Sequence, residues 1–100
     1  LGLLSPQRNP LMPDVPTTAE AGFELDFSKF FFFAMPKGTP KPVIDTFSAA
    51  VKRVVDNPEY QQEAKKFFLS PTYMDPATAS AYASKQYQYL QQFQKLFTGQ

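Results

Sequence analysis

Ten prolines punctuate this chain of 100 residues, and their placement limits where regular structure can exist. Pro6, Pro10, Pro13 and Pro16 fall in the opening stretch. Each removes a backbone donor and fixes φ, so no helix or central strand survives that density. Leu1 to Leu4 therefore reads as a short strand leading into loop. Later prolines stand at boundaries: Pro36 ends an apolar run, Pro40 follows a candidate cap at Thr39, and Pro58 and Pro76 follow Asn57 and Asp75.

Between these marks the pattern is legible. Thr17-Thr18-Ala19-Glu20 is a capping box, in which Thr17 accepts the Glu20 N–H and Glu20 reaches back. Gly22 stops that helix after about one turn. Residues 23–35 read as a strand, because Phe30 to Met35 is continuously apolar and suits burial on both faces. Residues 39–69 hold two helices. The first spans 41–56 with Val43, Ile44, Phe47, Val51, Val54 and Val55 on one stripe. The second is capped by Asn57, carries Glu59 in its first turn, and turns Tyr60, Ala64, Phe67 and Phe68 inward. After an extended 70–74, a long helix occupies 75–97, with Ala79, Tyr82, Gln86, Tyr89, Phe93 and Leu96 at helical spacing and Leu90 and Phe97 widening the stripe. The expected fold class is α/β, mostly helical with one or two short strands.

Composition narrows the function. Cysteine and histidine are absent, which removes disulfides, thiolate metal sites and the commonest general base. Ten basic residues against nine acidic ones leave a net charge of +1, with no clustered basic surface for nucleic acid. Gly2, Gly22, Gly38 and Gly99 are isolated, so no phosphate loop exists. The carboxylates are scattered, and several serve as caps. The inventory argues against an enzyme and calls for no cofactor or metal. Leu1-Gly2-Leu3-Leu4 is too short for a signal-peptide core, and the chain starts without Met. It is therefore expected to be a fragment of a longer protein.

The candidate ligand-binding residues are Ser28, Lys29, Phe30 and Phe32. Alternation along a strand puts Phe30 and Phe32 on one side, where they form an aromatic wall if that side faces a cleft. Lys29 is then placed to pair with a ligand carboxylate. The plainer reading makes the phenylalanines core and the lysine solvated.

Three segments carry a family resemblance. Arg8-Asn9-Pro10-Leu11-Met12-Pro13-Asp14-Val15-Pro16-Thr17-Thr18-Ala19-Glu20-Ala21-Gly22 resembles the Pro-Asp-Val-Pro-Thr-x-x-Glu-x-Gly segment of the tripartite tricarboxylate transporter substrate-binding proteins, or Bug-type receptors. Pro36-Lys37-Gly38-Thr39-Pro40 resembles their turn before a helix, and Asp56-Asn57-Pro58-Glu59 their helix break. The resemblance implies the C-terminal part of a type II periplasmic-binding-protein fold. In such a two-lobed receptor a small carboxylate, such as a di- or tricarboxylate, sits between the lobes and is passed to membrane permease subunits. It implies a periplasmic parent. Affinity is expected from backbone N–H groups and helix N-termini. Many relatives carry a Trp and a small residue where Phe30 and Phe32 stand, and a Phe at the small position narrows the space above the strand. The rival reading is a stand-alone interaction module that forms a homodimer through its apolar strand and helices.

Overall fold

The computed structural model describes residues 1–99, apart from the side chain of Phe97, whose expected place on the last stripe lies outside the described residues. Four helices form among them: α1 (Lys41–Val55), α2 (Pro58–Lys66), α3 (Pro76–Gln91) and α4 (Gln94–Thr98). The first three each carry proline at the first or second position, where its missing N–H costs no helical bond. Asn57 caps α2 by accepting the N–H groups of Glu59 at 2.8 Å and Tyr60 at 3.2 Å. Asp75 caps α3, accepting the Thr78 N–H at 2.9 Å on one oxygen and the Thr78 hydroxyl at 2.9 Å on the other. Both caps stand where the sequence puts them. Thr39 does not cap α1, because the cap position falls on Pro40. Its hydroxyl instead donates to the Pro36 carbonyl at 2.7 Å, closing the 36–39 turn around Gly38 at φ 87°.

The strand expected over 23–35 is not formed. Residues 23–36 carry no regular structure, and Phe31 is 85% exposed. A strand needs neighbours that take its N–H and C=O groups. The described residues supply only a parallel bridge between Leu3 and Thr17. The Leu3 N–H donates to Pro16 O at 2.8 Å, and its C=O accepts the Thr18 N–H at 2.9 Å. The Leu4 C=O accepts the Phe27 N–H at 2.9 Å. The short strands expected at 1–4 and 70–74 are likewise reduced to this bridge and to irregular backbone.

Two further elements differ from expectation. Residues 18–22 form successive turns instead of a helix, although Gly22, at φ 87°, ends them as predicted. The Phe23 N–H reaches Thr18 O at 2.9 Å and the Gly22 N–H reaches Ala19 O at 3.0 Å, the paired bonds of a Schellman stop. The last helix breaks at Gln92 and Phe93, where the N–H of Phe93 bonds Leu90 O at 3.0 Å and the backbone tightens to three-residue spacing.

The chain divides into two compact units, Leu1–Phe33 with Asn57–Pro71 and Ala34–Asp56 with Thr72–Gln100. In the first, Ala64 and Thr17 are the only buried residues of the described chain. Tyr60, Phe67 and Phe68, expected to face inward with Ala64, are exposed. α2 ends in a second Schellman stop, with the Leu69 N–H on Ala64 O at 3.0 Å and the Phe68 N–H on Lys65 O at 3.0 Å. Phe68 takes φ 57° there. In the second unit the α1 stripe splits: Ile44, Val51 and Val55 are half-buried, whereas Val43, Phe47 and Val54 are exposed. On α3, Ala79, Tyr82, Gln86 and Tyr89 are half-buried, as their spacing predicts, and Phe93 just beyond it is half-buried too, whereas Leu90 and Leu96, expected on the same stripe, are exposed.

Candidate functional site

The four candidate residues stand on the irregular stretch that follows Phe27. An Asx turn sets its direction, with the Ser28 N–H donating to the Asp26 carboxylate at 3.0 Å. Phe30 and Phe32 stack with ring centroids 5.3 Å apart and planes 26° from parallel. The structure thus brings Phe30 and Phe32 together, and neither Ser28 nor Lys29 takes part in the stack. Ser28 and Lys29 are exposed, Phe30 is half-buried, and Phe32 is 65% exposed. None of the four ion pairs among the described residues involves Lys29.

Two hollows of the surface are lined by other residues. One, of about 520 Å³, runs along α1 between Pro42, Val43, Thr46, Phe47 and Ala50. Its walls are apolar except for Thr46, so it offers an anion nothing. The other, of about 280 Å³, lies among Pro6, Ala19, Glu24, Leu25 and Asp26, where two acidic residues oppose a carboxylate.

The helix N-termini are closed as well. Pro42, Pro58 and Pro76 have no N–H to give. On α1 the N–H groups of Val43 and Ile44 bond Pro40 O at 3.0 and 3.3 Å. On α2 and α3 the caps already take the first free N–H groups. Anion affinity from helix ends, expected from the sequence, has no open donor set at these three starts. No group of three or more acidic residues among the described residues could hold a metal ion.

The best-built polar constellation was not singled out by sequence reasoning. Arg8 donates through Nε to Glu20 Oε1 at 2.7 Å, through Nη2 to Glu20 Oε2 at 2.6 Å, and through Nη1 to Pro13 O at 2.7 Å. The fork matches the carboxylate, and the remaining nitrogen ties the intervening loop. Glu20 thus turns to Arg8 instead of completing its capping box, although Thr17 Oγ1 still accepts the Glu20 N–H at 3.3 Å. The hydrogen bond from Arg8 holds the Glu20 carboxyl below its usual range, and Glu20 raises the Arg8 pKa in return. The available signal was an Arg and a Glu of opposite charge flanking a proline-rich loop. Nearby, Asn9 Oδ1 accepts the Leu11 N–H at 2.8 Å, so the loop is bonded within itself.

A second constellation ties residue 73 to α1. The hydroxyls of Ser48 and Tyr73 are 2.5 Å apart, and Lys52 Nζ sits 5.7 Å from the Tyr73 ring centroid while pairing with Asp56. The hydrogen bond to Asp56 raises the Lys52 pKa.

Comparison with known proteins places these features in a family. Residues 1–95 match the model of the tripartite tricarboxylate transporter family receptor. The chain is 29% identical over 79 residues to the UPF0065 protein in gbd 5' region of Cupriavidus necator, covering 79% of this chain and 24% of that protein. It is 37% identical over 70 residues to the UPF0065 protein in tcbD-tcbE intergenic region of Pseudomonas sp. (strain P51), covering 66% of this chain and 20% of that protein. The chain therefore spans about a quarter or less of the length of these curated relatives. No solved structure matches it significantly.

Proposed function

This chain belongs to the tripartite tricarboxylate transporter receptor family, and from that premise we propose that it is part of a periplasmic receptor that captures a small carboxylate for secondary transport. The observation that carries the reading is the family match over residues 1–95. In this reading the segment contributes one wall of a site between two lobes. Phe30 and Phe32 supply the aromatic side of that wall, and Ser28 and Lys29 lie at its approach. The stacking of Phe30 on Phe32, with ring centroids 5.3 Å apart, supports this reading. The opposing donors for the anion come from the rest of the receptor, because the starts of α2 and α3 are already capped. In that setting residues 28–35 pair with strands from elsewhere in the receptor and complete an α/β lobe. The receptor then delivers its ligand to membrane permease subunits.

Titration calorimetry with succinate and citrate tests the reading. The full-length receptor is expected to bind one of them at micromolar concentration, and the 100-residue chain neither, because half a site lacks its pre-organised partner wall. Micromolar dicarboxylate binding by the chain alone overturns the one-wall assignment. Absence of binding to both acids by the full receptor counts against di- or tricarboxylate capture.

A further inference from the structure

Four ion pairs form among the described residues, and one differs in kind. Lys41–Asp45, Lys52–Asp56 and Lys66–Glu63 join residues three or four apart on a helix. Arg8–Glu20 spans twelve positions, and Arg8 also holds Pro13 O, so one guanidinium fastens the loop 8–20 at its ends and its middle. Asn9 Nδ2 reaches Phe68 O at 3.4 Å and ties the same loop to the end of α2. Exposed ion pairs are usually worth little, and bidentate geometry is the exception.

The bonds that leave this clasp lead to the candidate wall. The Glu20 N–H reaches Thr17 Oγ1 at 3.3 Å, and Thr17 is 2% exposed. Thr17 bridges to Leu3, whose N–H and C=O hold Pro16 and Thr18. The approach there is close, since a Cβ on Gly2 would stand 3.2 Å from Pro16 O. Thr18 then holds the onward chain, its C=O accepting the Phe23 N–H at 2.9 Å and its hydroxyl donating to Leu25 O at 3.4 Å. Leu4 O takes the Phe27 N–H, and the Asp26 carboxylate takes the Ser28 N–H. All these residues belong to the first compact unit.

We propose that Arg8 and Glu20 are positioning residues, whose clasp fixes where the segment from Phe27 to Phe32 leaves the proline-rich loop and thereby sets the receptor's affinity for its carboxylate. The proposal rests on the reading of Ser28, Lys29, Phe30 and Phe32 as one wall of the site. Arg8 and Glu20 act on that wall through the bonded chain and not on the ligand. A wall already held in place binds more tightly than one the ligand must order.

The test uses the full-length receptor with succinate and citrate as probes. Calorimetry gives Kd well below the melting midpoint of each variant, so that lost stability does not enter. Hydrogen exchange read by mass spectrometry reports on residues 25–33. Arg8→Met and Glu20→Gln are each expected to raise Kd about threefold or more and to speed exchange of that segment. The double variant is expected to do no more than either alone, because the two side chains make one contact. Arg8→Lys keeps the charge, loses the fork and is expected to fall between wild type and Arg8→Met. Glu63→Gln breaks the ion pair on α2 and is expected to change neither reading. Circular dichroism identifies any variant that fails to fold, and the others then carry the test. An unchanged Kd, unchanged exchange over 25–33, fully additive losses or an equal effect of Glu63→Gln overturns this proposal and leaves the receptor reading intact. A wild-type receptor that binds neither acid overturns the carboxylate reading and this proposal with it.

Discussion

Phe68 holds φ 57°, a left-handed conformation that costs a residue with Cβ about 1–2 kcal/mol. It is 58% exposed, so about two fifths of a ring of roughly 200 Å² is covered, worth at most about 2 kcal/mol at 25 cal/mol per Å². The two terms nearly cancel, which is why an aromatic residue can hold a position that favours glycine. Phe68→Gly is therefore expected to change stability by no more than about 0.5 kcal/mol, whereas Phe68→Ala keeps the strain, loses the contact and costs about 1–2 kcal/mol. Urea denaturation of the pair checks the order, and an alanine variant at least as stable as the glycine one refutes the account. Asn57→Ala removes an acceptor used twice and is expected to cost about 1 kcal/mol by the same assay. The caps at Asn57 and Asp75 were legible in the sequence because a cap bonds within three residues of itself. The left-handed Phe68 was not, since that conformation is normally announced by glycine, as Gly22 announces it.

Among the elements, α1 and the 72–74 stretch are joined by Tyr73. Tyr73→Phe leaves the Ser48 hydroxyl without that partner and is expected to cost about 1 kcal/mol, with Ser48→Ala adding little on top in a double-mutant cycle. Fully additive losses would mean that the two hydroxyls do not act together. The start of α3 depends on pH. Backbone and side-chain hydrogen bonds from Thr78 hold the Asp75 carboxyl below its usual range. Its stabilising contribution is therefore fully present above the ordinary aspartate pKa of about 3.9 and is lost as pH falls through the lower folded value. Helicity at 222 nm is expected to fall in that acid window and to fall less in Asp75→Asn, which keeps a capping oxygen without the titration. Helix positions were readable because stripes and caps are local. Residues 23–35 were misjudged because a strand is a property of its neighbours, and an apolar run reveals nothing about whether neighbours are at hand. The break at Gln92 and Phe93 carries no proline or glycine to mark it.

At the scale of the whole molecule, the apolar residues that the sequence marks as core are abundant, yet among the described residues Ala64 is the one of them that is buried, beside the polar Thr17. Phe31 and Phe33 are 85% and 74% exposed. The chain leaves 8423 Å² accessible, between the roughly 5,700 Å² of a compact protein of its mass and the roughly 16,000 Å² of an unfolded one, so unfolding uncovers less surface than usual, and the urea m-value of the isolated chain is expected near about 1 kcal/mol per M, the low end for small proteins. An m-value well above that would show that the chain buries more surface than this. The family was legible from three short segments because they are turn and cap signatures, which depend on a few neighbouring residues. The pairing of Phe30 with Phe32 was legible only as a parity, since whatever faces these rings is not encoded in their own pattern. The Arg8 clasp spans just twelve positions. Contact between the ends of so short a loop is made on the order of 10–100 ns, far sooner than a ribosome adds a single residue. As a chain like this one emerges, the Arg8–Glu20 contact can therefore be sampled as soon as Glu20 is free.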